Sequence, residues 1–129
     1  MKKKILIVDD DTDFIGQLEI LLSNAEYDID KAYSKAEAEK YLDNNNKPDL
    51  AIVDLMMENT DSGFALCYHI KKKYNNLPVI MVTAVTNETG FQFDAATPED
   101  KAWIKADAFL AKPIRFEQLK REMNRLLGN

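Results

Sequence analysis

The chain has little of what marks secreted, membrane or nucleic-acid-binding proteins. One cysteine, Cys67, among 129 residues excludes an internal disulfide and suits a reducing compartment. There is no long hydrophobic run. The basic start is followed by only four apolar residues, Ile5 to Val8, before three aspartates interrupt, too few for a signal segment or a membrane span. Positive charge is in deficit, with 17 lysines and arginines against 22 acids and a net charge of −5. Broad nucleic-acid binding needs a basic face and is not expected. His69 is the only histidine. No repeat, low-complexity tract or linker interrupts the chain. We therefore expect a single domain over 1–129, with no output domain in this chain, working in the cytoplasm with no membrane contact.

What is present is an alternation of short apolar runs and helical patterns. Lys4 to Val8 ends at Asp9-Asp10-Asp11 and reads as a buried strand. Phe14, Leu18, Leu21, Leu22 and Ala25 then recur at helical spacing. Asp28 to Ala32 is a weaker second strand. Ser34-Lys-Ala-Glu37 has the form of a capping box and opens a helix to about Asp43, broken by Asn44-Asn-Asn-Lys-Pro48. Leu50 to Val53 is a third strand ending at Asp54, and Phe64, Cys67, Ile70 and Tyr74 mark a third helix. After the turn Asn75-Asn-Leu-Pro78, Val79 to Val82 is a fourth strand ending at Thr83. Thr97-Pro-Glu-Asp100 is an N-cap pattern for a short helix from Pro98 to about Ala106. Ala108 to Ala111 is a fifth strand ending at Lys112-Pro113, and Phe116, Leu119, Met123, Leu126 and Leu127 line a terminal helix. Strands alternating with helices predict an α/β fold, a (βα)5 three-layer sandwich around one parallel sheet.

A parallel sheet sets the carboxyl ends of all its strands on one rim, where ligands bind at the topological switch point. Asp9, Asp10, Asp54, Thr83 and Lys112 all stand at predicted strand ends. The strand order 2-1-3-4-5, known for flavodoxin-like sheets, would put Asp9-Asp10 beside Asp54. Carboxylates about 5 Å apart repel by roughly 3 kcal/mol at an effective dielectric of ~20. A hard divalent cation such as Mg2+ removes that cost and suits carboxylate and phosphate oxygens. With Lys112 as a second positive charge and Thr83 as a hydroxyl, the set could hold a phosphoryl group on a carboxylate.

At these residues the chain resembles the response-regulator receiver family, the CheY-like superfamily of two-component phosphorelays. The likeness runs from Ile5-Leu-Ile-Val-Asp-Asp10 to the final amphipathic helix. It rests on the acidic pair, Asp54-Leu-Met-Met, Thr83-Ala84 and Phe109-Leu-Ala-Lys-Pro113 standing in order. The resemblance implies that Asp54 is the phosphoacceptor, that Asp10 binds Mg2+ directly and Asp9 mainly through water, and that the main-chain carbonyl of Met56 is a further ligand. It implies that Thr83 hydrogen-bonds the phosphoryl group, Lys112 pairs with one of its oxygens, Phe109 is an aromatic rotamer switch, and Lys112-Pro113 carries a cis peptide. Small Ala84 leaves room for the phosphoryl group. The implied partners are a sensor histidine kinase or phosphotransfer protein, a downstream target, and a second copy through the face formed by the helix at 98–106, the fifth strand and the terminal helix. The protein would be a switch and not an enzyme, apart from its own phosphoryl transfer and slow self-dephosphorylation.

Two departures stand out. Glu58 occupies a place where the family often has proline, within an Asp54–Gly63 interval one residue longer than usual. The Thr83–Lys112 interval is several residues longer, the excess lying in Ala84 to Thr97, where Phe91 and Phe93 suggest partial packing. These keep open an alternative, a phosphorylation-independent pseudo-receiver that only binds proteins. An aspartate-nucleophile phosphatase is disfavoured because Met56 stands where its second aspartate would be. A flavin protein is disfavoured because Asp9-Asp10-Asp11 would repel a phosphate after the first strand. Phe109 is either core or switch, and Trp103 is either core or partner surface. Cys67 reads as a small core residue, and His69, Glu99, Asp100 and Glu117 as structural or solvated groups.

Overall fold

Branched aliphatic residues make the strands, and two interleaved sets of them make two cores. The computed structural model describes residues 3–24, 27–54, 62–84, 106–112 and 114–128. Met56, Glu58, Val85, Phe91, Phe93, Trp103, Pro113 and the helix expected at 98–106 lie outside the described residues. The strands are β1 (Lys4–Val8), β2 (Asp28–Ala32), β3 (Leu50–Asp54), β4 (Val79–Ala84) and β5 (Ala108–Lys112). The described helices are α1 (Thr12–Asn24), α2 (Lys35–Asp43), α3 (Ser62–Lys73) and α4 (Phe116–Leu127). The sheet is wholly parallel in the order β2-β1-β3-β4-β5, as expected.

Side chains along a strand alternate between faces, and the cores divide on that rule. Leu6, Val8, Ala51, Val53, Val79 and Met81 pack with Ala38 and Leu42 of α2 and Leu66, Cys67 and Ile70 of α3. Ile5, Ile7, Leu50, Ile52, Ile80, Val82, Ala108 and Leu110 pack with Ile15, Leu18 and Leu22 of α1 and Leu119 and Met123 of α4. Full burial of each Val, Leu, Ile or Met among them contributes roughly 1.5–3 kcal/mol, so both faces are strongly anchored.

The helix ends follow local chemistry. Ser34 caps α2, its side chain accepting from the Glu37 amide. Asn45 ends that helix at φ 65, a left-handed position that asparagine tolerates. Gly128 closes α4 at φ 77, with its amide on the Asn124 carbonyl.

The amino rim is stitched together by two aspartates. Asp107 Oδ2 accepts from Val79 N at 2.8 Å and Lys71 Nζ at 2.7 Å, while Asp107 N donates to the Val79 carbonyl. Asp49 Oδ2 accepts from Lys4 N at 2.7 Å, and Asp49 N donates to the Lys4 carbonyl. Both clips join the amino ends of neighbouring strands. The carboxyl rim has a different content.

Candidate functional site

Strand register assembles the site. Val8 of β1 lies opposite Val53 of β3, so the next residues, Asp9 and Asp54, stand side by side. Asp54 in turn lies opposite Val82 of β4, and Ala84 lies opposite Lys112 of β5. As expected, Asp54, Thr83 and Lys112 stand at strand ends: Asp54 and Lys112 are the last residues of β3 and β5, and Thr83 is the last but one of β4, so the strands run one or two residues beyond the apolar runs that mark them in the sequence. Asp54 and Lys112 continue the alternation of Leu50-Ile52 and Ala108-Leu110, which belongs to the face covered by α1 and α4.

Asp9, Asp10 and Asp54 each offer a carboxylate oxygen, and these oxygens all lie within 4.8 Å of one another. Asp9 is 1% exposed and Asp54 6%. A buried carboxylate must be paired. Asp9 Oδ2 accepts from Lys112 Nζ at 2.9 Å and Asp9 Oδ1 from the Asp11 amide at 2.9 Å. The same ammonium is 4.0 Å from Asp54 Oδ2. Three acids against one ammonium leave an excess of negative charge. Desolvation where Asp10 meets the rim, and after it the neighbouring Asp9 charge, hold the Asp10 carboxyl above its ordinary value, although its outer side is open to water. Oxygen-only donors with surplus negative charge fit a hard divalent cation such as Mg2+.

The third aspartate of the run does something else. Asp11 caps α1: its Oδ1 accepts from Asp13 N at 3.1 Å and Phe14 N at 3.2 Å, and its carbonyl accepts from Ile15 N. The cap fixes the first turn of α1, and Phe14 in that turn has its ring under Lys112 Nζ, 4.3 Å from the ring centroid. Sequence periodicity had identified Phe14 only as a helix-face apolar residue. The available signal was an aspartate three residues before an aromatic.

Thr83 is buried at the same rim, one residue beyond the partner of Asp54, but strand alternation groups it with Val79 and Met81 on the α2–α3 side. Phe109, opposite Met81, is half-buried and packs on that same side. The structure therefore brings Asp9, Asp10, Asp54 and Lys112 together and sets Thr83 and Phe109 across the sheet from them. His69 Nδ1 lies 3.5 Å from Glu39 and Nε2 3.8 Å from Asp43, where α3 faces α2, and Cys67 is buried in the core. Glu117 is an exposed helix charge. Among the described residues, no helix is long and apolar enough to cross a membrane.

Residues 5–124 match the model of the response regulator receiver domain. The chain is 36% identical over 115 residues to the regulatory protein VanR of Enterococcus faecium, a match covering 89% of this chain and 46% of that protein. It is 37% identical over 117 residues to the heme response regulator HssR of Staphylococcus haemolyticus, covering 90% and 47%. The chain thus spans about half the length of the curated relatives it matches. Among solved structures, a putative response regulator of Chloroflexus aurantiacus aligns over 100% of both chains at 29% identity and a TM-score of 0.82. The response regulator TrrA of Thermotoga maritima, solved in complex with Mg2+ and BeF, aligns over 98% of this chain and 100% of its own at 29% identity and a TM-score of 0.79.

Proposed function

This chain belongs to the response regulator receiver domain family, and from that premise we propose that Asp54 accepts a phosphoryl group, with Mg2+, from a sensor histidine kinase or phosphotransfer protein. The observation that carries the reading is the ionic cluster: Asp9, Asp10 and Asp54 within 4.8 Å of one another, with Lys112 Nζ 2.9 Å from Asp9 and 4.0 Å from Asp54. In the transfer, an Asp54 carboxylate oxygen bonds to phosphorus as the bond from phosphorus to the donor imidazole nitrogen breaks. That nitrogen leaves with the electron pair. Lys112 neutralises a phosphoryl oxygen, and the burial of Asp9 and Asp54 beside it strengthens that pairing. Asp9, Asp10, Asp54 and the Met56 carbonyl would hold the cation, which when bound supplies positive charge against the acids and the phosphoryl oxygens. The Mg2+ of the TrrA complex supports this choice of metal.

The acyl phosphate then biases a two-state equilibrium through Thr83 and Phe109, which share one face of β4 and β5. The switched surface, comprising the helix proposed at 98–106, β5 and α4, engages a downstream protein or a second copy of the chain. Residues 1–129 act as one receiver unit in the cytoplasm, without contacting nucleic acid or membrane themselves. The chain is a regulator and not an enzyme, its chemistry being confined to its own phosphorylation and loss of the phosphoryl group. A phosphorylation-independent pseudo-receiver is disfavoured, since such a module could dispense with the acid cluster and lysine found together here.

Incubation with Mg2+ and acetyl phosphate, followed by intact mass, tests the proposal. One phosphoryl adduct is expected, absent with chelator and absent in Asp54→Asn. Stoichiometric labelling of Asp54→Asn would end the assignment. Met56 and Val85 are apolar where the family tunes hydrolysis by orienting water, so decay of the adduct should be slow. An unchanged decay rate in Met56→Asn with Val85→Glu would remove that explanation.

A further inference from the structure

We infer that Phe14 is a positioning residue for Lys112: its ring face seats the ammonium so that the lysine keeps its place when charge enters the acid cluster. The inference rests on the receiver reading and deepens it. Lys112 has a flexible four-carbon stem, and such a side chain has many rotamers to lose. Its shortest ionic contact is Asp9 at 2.9 Å, with Asp54 at 4.0 Å. A divalent cation among Asp9, Asp10 and Asp54 would repel the ammonium toward solvent, and Lys112 is already 22% exposed. The Phe14 ring, 4.3 Å from Nζ, opposes that escape. A ring face attracts a cation through its quadrupole. It also leaves the ammonium donors free for carboxylate or phosphoryl oxygens.

Phe14 can do this because it is itself held. Its amide donates to Asp11 Oδ1 at 3.2 Å, and its side chain packs on the core shared by α1, α4 and one sheet face. The run Asp9-Asp10-Asp11 therefore divides its labour. Asp9 and Asp10 face the proposed cation, and Asp11 anchors the turn that carries the lysine's seat. A leucine at position 14 would fill similar space without attracting a cation, which separates this role from packing.

The test compares the wild-type chain with Phe14→Leu and Phe14→Tyr, using acetyl phosphate at saturating Mg2+ and, in parallel, the NMR shifts of the Lys112 ε-methylene protons. Phe14→Leu is expected to slow phosphoryl uptake about threefold to tenfold, the range set by a partly exposed cation–π contact, with Mg2+ affinity unchanged. Ring-current upfield shifts of the lysine protons should vanish in Phe14→Leu and return, together with the rate, in Phe14→Tyr. Should the leucine variant unfold, Phe14→Met repeats the comparison. The inference is overturned if the ring-less variant keeps wild-type uptake, if Phe14→Tyr is as slow as Phe14→Leu, or if weaker Mg2+ binding accounts for the loss. A wild-type chain that shows the upfield lysine protons yet takes no phosphoryl group upholds the seat and overturns the receiver reading instead.

Discussion

Along the face covered by α1 and α4, the strands run Ile5-Ile7, Leu50-Ile52 and Ala108-Leu110 and then deliver Asp9, Asp54 and Lys112 to the rim. Along the face covered by α2 and α3, Val79-Met81 leads to Thr83, with Phe109 beside it. The aliphatic foundations are equivalent, but one face ends in charge and the other in a hydroxyl and an aromatic ring. In the proposed function, the first binds and holds a phosphoryl group and the second registers that it has arrived. The charged end carries a cost, because several acids sit together with one ammonium. The neutral end has no such strain to relieve.

The largest expected contrast between the faces is kinetic. Lys112→Ala should slow labelling of Asp54 by ~10²-fold or more, the scale of removing one preorganised electrostatic group. Thr83→Ala should slow it far less and chiefly weaken the conformational response, read by NMR with and without phosphodonor. Equal rate losses at the two positions would erase the distinction. Next comes the metal. Mg2+ at ~100 times its Kd should stabilise the wild type by about 2.7 kcal/mol in denaturant unfolding, and Asp10→Asn should lose this. Because the folded Asp10 carboxyl is held above 3.8, its stability contribution is complete below that pH and is lost as pH rises through the raised value. Metal-free wild type should therefore soften over that acid range, and Asp10→Asn should not.

On the opposite face the titratable group behaves otherwise. Burial pushes the Cys67 thiol up to about 11. Its contribution to stability is complete below 9.0 and is lost as pH rises toward about 11, a slope that Cys67→Ala should remove from unfolding curves. The native thiol should also resist alkylating reagents at pH 8 until the chain unfolds. The smallest effects separate the two caps. Ser34→Ala at α2 and Asp11→Ala at α1 should each cost about 1 kcal/mol, but only the Asp11 variant should also slow phosphoryl uptake. If both leave uptake unchanged, the cap of α1 is purely structural.

Most of the fold was legible because the strands are short apolar runs set off by polar or proline-bearing turns, and the described helices carry apolar stripes. Ser34 with Glu37 predicted the start of α2, and the asparagines after Asp43 predicted its end, where Asn45 takes a left-handed conformation. The ionic members of the site were legible too, since acids and a lysine after apolar strands have few other uses. Pairing set the limits. Whether a strand stops just before or one or two residues past its apolar run, as at Asp54, Ala84 and Lys112, depends on ladders with distant segments, which a local pattern does not contain. The same holds for the contact of Phe14 with Lys112, which joins the first helix to the last strand, and for the opposite faces of Thr83 and Asp54. Asp11 was read only as part of an acidic run, because a cap and a ligand are written with the same residue type.

The clips at Asp49 and Asp107 have a mechanical meaning. Each fastens adjoining strands at the margin farthest from the acid cluster, as the rivet of a folding fan fastens its ribs. Strand slippage would have to break these clips, whereas rearrangement among the acids would not. Amide protons at Val79, Asp107, Lys4 and Asp49 should accordingly be among the last to exchange with deuterium, whether or not phosphate is attached.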